Sequence, residues 1–136
     1  MQIGHFPRHR HTLRGKRILV VEDEALVAML MEDGLADAGA EVVGPASSVE
    51  QALELVEWAA ARTGGLDAAV LDINLQGTVV APVADRLAAL GVPIIFATGY
   101  GKGVDRGAHG AAPLLTKPFG SDELIATIEE LGATAR

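Results

Sequence analysis

The stretch Arg17-Ile18-Leu19-Val20-Val21-Glu22-Asp23-Glu24 decides the fold. Four consecutive apolar residues, three of them β-branched, stop abruptly at three acids. A strand with one solvated face alternates apolar and polar residues. An unbroken apolar run is instead buried on both faces, as in a parallel sheet covered by helices. After the acids, apolar residues recur at Val27, Leu30, Met31, Gly34, Leu35 and Ala38. Glu32, Asp33 and Asp37 lie off that stripe and Gly39 ends it, which is the pattern of an amphipathic helix.

The cycle repeats along the chain. Glu41-Val-Val-Gly44 is a second strand, and Ser48-Val-Glu-Gln51 has capping-box spacing before a helical stripe at Val49, Ala52, Leu53, Val56 and Ala60. Gly64-Gly65 breaks that helix. Ala68–Leu71 is a third strand ending at Asp72. A helix starting near 79–82 presents Val83, Ala84, Leu87 and Leu90. Pro93–Ala97 is a fourth strand ending at Thr98, and Leu114-Leu115 a fifth ending at Lys117. Ser121 caps a last helix, whose stripe is Leu124, Ile125, Ile128 and Leu131, with Asp122 and Glu123 favoured by the dipole of its first turn. Strands alternating with helices predict an α/β fold, a doubly wound five-stranded parallel sheet with right-handed crossovers.

Composition bounds the function. The chain has 136 residues, 49% hydrophobic and 21% charged, a length suited to one domain. The organisation expected is a mobile basic tail over 1–16, one domain over 17–132 and a short end over 133–136. Five of the 11 basic residues and three of the four histidines precede residue 18, which leaves 6 basic against 18 acidic residues beyond it. A body that acidic is a poor nucleic-acid surface. No cysteine is present, excluding disulfides, thiolate catalysis and Cys-type zinc sites. No apolar run approaches about 18 residues, so no membrane span is expected. The N-terminus lacks the features of a secretory signal, which predicts a cytoplasmic location.

The unusual polar residues all follow strands: Glu22 and Asp23 after the first, Asp72 after the third, Thr98 after the fourth, Lys117 after the fifth. In open α/β sheets ligands bind outside these carboxyl ends. If the first and third strands are neighbours, three carboxylates crowd together. Two such charges about 4 Å apart repel by about 4 kcal/mol at an effective dielectric near 20. A hard divalent cation relieves that repulsion, and magnesium suits one or two carboxylates plus phosphate oxygens. Lys117 supplies a point charge for an anion and Thr98 a hydroxyl.

These residues resemble the receiver domain of two-component response regulators over about residues 16–132. The motifs are Ile18-Leu-Val-Val-Glu-Asp-Glu24, Leu71-Asp-Ile-Asn-Leu75, Phe96-Ala-Thr-Gly99 and Leu115-Thr-Lys-Pro-Phe119, specific in this order and at these separations. The resemblance implies a flavodoxin-like fold with strand order 2-1-3-4-5. It makes Asp72 the phosphoacceptor, with Mg2+ held by Asp23, Asp72 and the Asn74 backbone carbonyl, and by Glu22 through water. Thr98 and Lys117 hold phosphoryl oxygens, and the Lys117-Pro118 peptide is cis. The implied donor is a sensor histidine kinase or phosphotransfer protein, docking on Ala25, Met29, Pro118 and Phe119 around Asp72. The chain is then a signalling phosphoacceptor with self-phosphotransfer and autodephosphorylation rather than an enzyme. Thr98 shifts toward the new charge and switches the far face for an unidentified downstream partner.

Two departures from the family stand out. Its aromatic switch position, three before the lysine, is Leu114. Tyr100, two past Thr98, either takes a related role or shields the crevice. Residues 99–110 hold five glycines where the family has its fourth helix, and each costs a helix about 0.8–1 kcal/mol relative to alanine. This predicts a short, frayed or partly melted helix.

Other classes compete. A haloacid-dehalogenase-like phosphatase needs a second carboxylate two residues after its nucleophile, and Asn74 stands there. A nucleotide-binding module needs a Gly-rich loop after the first strand, where Glu22-Asp23-Glu24 repels phosphate. A degenerate receiver that only binds proteins fits poorly with Asp72 and Lys117 both in place. Gly132–Arg136 alone follow the last helix, so a stand-alone regulator without an effector or DNA-binding domain is expected. Trp58 reads either as a helix-edge aromatic or as a homodimer patch. The tail histidines do not make a metal site, because Pro7 interrupts any helix aligning His5 with His9.

Overall fold

Alternate residues of β1 (Arg17–Val21) enter two different cores. Leu19 and Val21 pack on one face of the sheet, Ile18 and Val20 on the other, and all four are fully buried. The run lacks polar alternation because both faces are covered. The computed structural model describes residues 12–75, 77–99 and 106–134. After β1 come α1 (Ala25–Asp37), β2 (Glu41–Ala46), α2 (Val49–Ala60) and β3 (Ala68–Asp72). A two-residue pair, β4 (Asn74–Leu75) and β5 (Thr78–Val79), precedes α3 (Ala81–Ala89). Then follow β6 (Ile94–Thr98), a 3-10 turn at Gly107–His109, β7 (Leu114–Thr116) and α4 (Ser121–Thr134).

The main sheet is parallel with order β2-β1-β3-β6-β7. This is the expected 2-1-3-4-5 once the hairpin is set aside. β4 and β5 pair antiparallel, Asn74 with Val79 and Leu75 with Thr78, a feature too short to leave a periodic signal. α2 and α3 cover one face through Ala52, Val56, Val83, Ala84 and Leu87. α1 and α4 cover the other through Met31, Leu35, Leu124, Ile125 and Ile128. Burying each larger aliphatic side chain of these layers is worth roughly 1.5–3 kcal/mol. Among the described residues, no helix is long and apolar enough to cross a membrane.

Local signals mostly act as read. The Ser48 side chain accepts a hydrogen bond from Gln51 N at 3.1 Å and caps α2. α1 ends on Gly39 at φ +97°, a left-handed position, with Gly39 N bonded to Ala36 O and Ala40 N to Leu35 O, the paired bonds that close a helix C-terminus. The Lys117-Pro118 peptide is cis, as is Gly44-Pro45.

Several details differ. α2 buries Ala59 rather than Ala60. Leu90 lies past α3 and is 38% exposed, outside the core it was expected to join. α4 begins at Ser121 itself, so Ser121 is inside the first turn and the Gly120 carbonyl accepts from Leu124 N. There Ser121 meets Gly34 of α1, where a Cβ would come within 2.8 Å of the serine Cβ. The periodicity puts Leu30 on the inward stripe of α1, yet it is 59% exposed, because the buried line is Ala28, Met31 and Leu35. Leu13, counted with the tail, is buried, with its N–H bonded to Ala38 O. Of the glycine-rich segment 99–110, residues 100–105 lie outside the described residues; Gly107–His109 forms one 3-10 turn. Residues 1–11 also lie outside them.

Candidate functional site

The register of the sheet brings the strand ends together. Val21 pairs with Leu71, Asp72 with Ala97 and Thr98 with Thr116. The residues that follow β1 and β7 therefore converge on Asp72 and Thr98, which end β3 and β6. Glu22 (2% exposed), Asp72 (6%) and Thr98 (1%) are the buried polar residues among those described. Their burial follows from the neighbouring strands, which wall the crevice on both sides.

Lys117 is the hub. Its Nζ donates to Asp72 Oδ2 at 3.1 Å, to Glu22 Oε2 at 3.0 Å and to Glu24 Oε1 at 3.0 Å. The lysine backbone is fixed as well, its N–H bonded to Thr98 O at 2.7 Å. Asp72 Oδ1 accepts from Asn74 N at 3.2 Å, and Glu22 Oε2 accepts from Glu24 N at 3.2 Å. Glu22 Oε1 lies 2.8 Å from Lys117 Nζ but off the hydrogen-bond direction, and it is buried without a hydrogen bond.

Burial raises the pKa of Glu22 to about 7; Lys117 opposes the rise and Asp72 adds to it. Burial works against the charge on Lys117, but Glu22, Glu24 and Asp72 outweigh it and hold the ammonium above the ordinary lysine value.

Glu22, Asp23 and Asp72 each offer a carboxylate oxygen, and these oxygens lie within 4.8 Å of one another. With the unbonded Glu22 Oε1, this is an all-oxygen donor set of the kind hard cations take. The residues present therefore fit magnesium. Above them opens a cleft of about 420 Å3, lined by Asp23, Glu24, Asp72, Asn74, Gly99 and Lys117. A second groove of about 380 Å3 runs between α1 and the Pro118-Phe119 loop, walled by Val27, Leu30, Met31, Phe119 and Leu124.

Glu22, Asp23, Asp72, Asn74, Thr98 and Lys117 thus gather at one rim of the sheet. Leu114 sits apart, half-buried in β7, paired with Phe96 and packed on the core. Tyr100 lies outside the described residues. Ala25, Met29 and Pro118 are exposed, and Phe119 is half-buried. Two features escaped the sequence reading. Glu24 reaches back to Lys117, signalled only by its place beside two site acids. Leu26 (66% exposed) and Leu30 join Met29 (52%) in an outward apolar patch, which their i, i+3, i+4 spacing announces.

Comparison with known proteins gives a consistent picture. Residues 18–129 match the family described as response regulator receiver domain. Transcriptional regulatory protein TcrA of Mycobacterium tuberculosis is 38% identical over 122 residues, covering 86% of this chain and 46% of TcrA. The chain spans about half the length of the curated relatives it matches. The solution structure of SdrG from Sphingomonas melonis Fr1 is similar at 41% identity and TM-score 0.70, over 84% of this chain and 96% of that one. The BeF3-activated conformation of SdrG, with Pseudomonas melonis Fr1 as its source, gives 42% and 0.69, over 85% and 95%. The crystal structure of PhyR from Brucella abortus gives 30% and 0.73, over 93% of this chain and 53% of PhyR.

Proposed function

Because this chain belongs to the response regulator receiver domain family, we propose that it accepts a phosphoryl group on Asp72 from the phosphohistidine of a sensor kinase or phosphotransfer protein. The observation that carries the reading is the 3.1 Å contact of Lys117 Nζ with Asp72 Oδ2 at the floor of an open acidic cleft. An ionised carboxylate has about four lone-pair sites, and two on Asp72 are taken by Lys117 and Asn74 N. A free lone pair attacks phosphorus, the P–O bond forms as the P–N bond breaks, and the imidazole leaves. Protein groups do little covalent work in such a transfer; they align and neutralise charge on the equatorial oxygens. Lys117 and the Thr98 hydroxyl do this from the fifth and fourth strand ends of the main sheet.

Mg2+ would be held by Asp23, Asp72 and the Asn74 backbone carbonyl, with Glu22 acting through water. When bound it supplies further neutralisation of the phosphoryl oxygens. The same site supports self-phosphotransfer from small phosphodonors and autodephosphorylation, in a cytoplasmic setting. The donor docks on the outward apolar patch of α1, at Ala25, Leu26, Met29 and Leu30, and on the Pro118-Phe119 loop; Leu30, Pro118 and Phe119 line the groove that shares Glu24, Gly99 and Lys117 with the cleft. The new dianionic charge then draws Thr98 and shifts the far face toward a downstream partner.

Intact mass after incubation with acetyl phosphate and magnesium tests this. The wild type gains one phosphoryl group, and Asp72→Asn or omission of magnesium prevents the gain. A wild type left unmodified by both acetyl phosphate and a phosphorylated kinase returns the chain to the class of phosphorylation-independent binding modules.

A further inference from the structure

A lysine ammonium has three N–H donors and no acceptor. In this protein three carboxylates take them: Glu22, Asp72 and Glu24, each within 3.1 Å of Lys117 Nζ. No donor is left for a fourth acceptor, so an arriving phosphoryl oxygen must displace one of the three. Burial decides which. The Glu22 side chain is fully buried and held by Glu24 N. Asp72 is 9% exposed at the side chain, held by Asn74 N, and is itself the acceptor. The Glu24 side chain is 62% exposed, and water can receive it.

We propose that Glu24 is a positioning residue that parks Lys117, its carboxylate holding the N–H that the phosphoryl group needs and yielding it as that group arrives. The proposal rests on the reading of Asp72 as phosphoacceptor and adds the group that transfer displaces. It makes Glu24 a brake on phosphorylation. The side chain is separable from the local fold: it makes no capping bond to α1, whereas its backbone carbonyl accepts from Ala28 N and its backbone N–H donates to Glu22. Truncation at this position therefore leaves the start of the helix and the Glu22 contact in place.

Glu24 also adds negative charge that repels an anionic donor. Two variants separate the effects: Glu24→Ala removes both charge and reach, and Glu24→Asp keeps the charge but is one methylene too short. Their rates of modification by acetyl phosphate with magnesium are followed by intact mass. In parallel, Lys117 in the metal-free, unphosphorylated proteins is labelled with an amine-reactive ester and quantified by peptide mass spectrometry. Both variants are expected to phosphorylate about two- to five-fold faster, the equivalent of releasing one exposed ion pair, and to label faster at Lys117. If Glu24→Asp matches wild type in rate while Glu24→Ala is faster, repulsion alone is at work and the parking role is wrong. Wild-type rates or wild-type labelling in both variants overturn it too, with the phosphoacceptor reading intact. A wild type that takes no phosphate overturns both.

Discussion

Lys117 Nζ lies 3.1 Å from the Asp72 carboxylate across 45 positions of sequence, and the same nitrogen holds Glu22 at 3.0 Å. The lysine is thus the counter-ion for a buried acid as well as the neighbour of the proposed phosphoacceptor. Two demands meet in one side chain: stability of the crevice and the chemistry proposed within it.

Lys117→Ala should expose that double role. The buried Glu22 loses its cation, and an uncompensated buried charge is costly. We expect a loss of roughly 1–3 kcal/mol at pH 8, read from urea unfolding, that shrinks as the pH falls, because Glu22 without its lysine takes up a proton more readily still. Equal losses at pH 5.5 and pH 8 would refute the link to Glu22.

Glu22 should give the metal-free protein a pH-dependent stability. Its folded pKa of about 7 lies above its ordinary 4.5, so the folded state binds the proton more tightly. The associated stabilisation is full below pH 4.5 and is lost as pH rises through 7, amounting to up to about 3 kcal/mol. Glu22→Gln should flatten this part of the pH–stability curve, measured by thermal or urea unfolding in chelator.

Magnesium should stabilise the folded chain by mass action, by about 2.7 kcal/mol at a hundredfold excess over its dissociation constant. Asp23→Asn should weaken that response, read as the dependence of Tm on magnesium. A Tm indifferent to magnesium in the wild type would remove the cation site.

The docking patch should affect one donor and not another. Met29→Ala changes an exposed side chain, so stability should stay within about 0.5 kcal/mol. Phosphotransfer from a cognate kinase should slow about tenfold, as for a central interface residue, while acetyl phosphate modifies the variant at the wild-type rate. Equal slowing with both donors would place the defect in the cleft.

Gly34→Ala should destabilise the protein despite the better helix propensity of alanine. The new methyl meets the Ser121 Cβ, which is anchored to the backbone of α4. Overpacking of this kind costs about 1–3 kcal/mol, against roughly 1 kcal/mol gained in propensity. Adding Ser121→Gly should recover most of the loss in the urea midpoint.

The sequence by itself determined the layers and the rim. Runs such as Ile18–Val21 and Ile94–Ala97 carry their two-sided burial in their own composition, because no polar residue alternates within them. The sheet rule then places whatever follows each run at one edge, so Asp72, Thr98 and Lys117 are legible as neighbours before any coordinate is known. Tertiary structure decided how α1 turns its apolar residues. Leu26, Met29 and Leu30 are as apolar as Met31 and Leu35, but packing against the sheet and α4 selects which line faces the core. It also decided the partners of Lys117. A flexible four-carbon stem can reach any acid at the rim, and only the packed strand ends set which three carboxylates share its nitrogen.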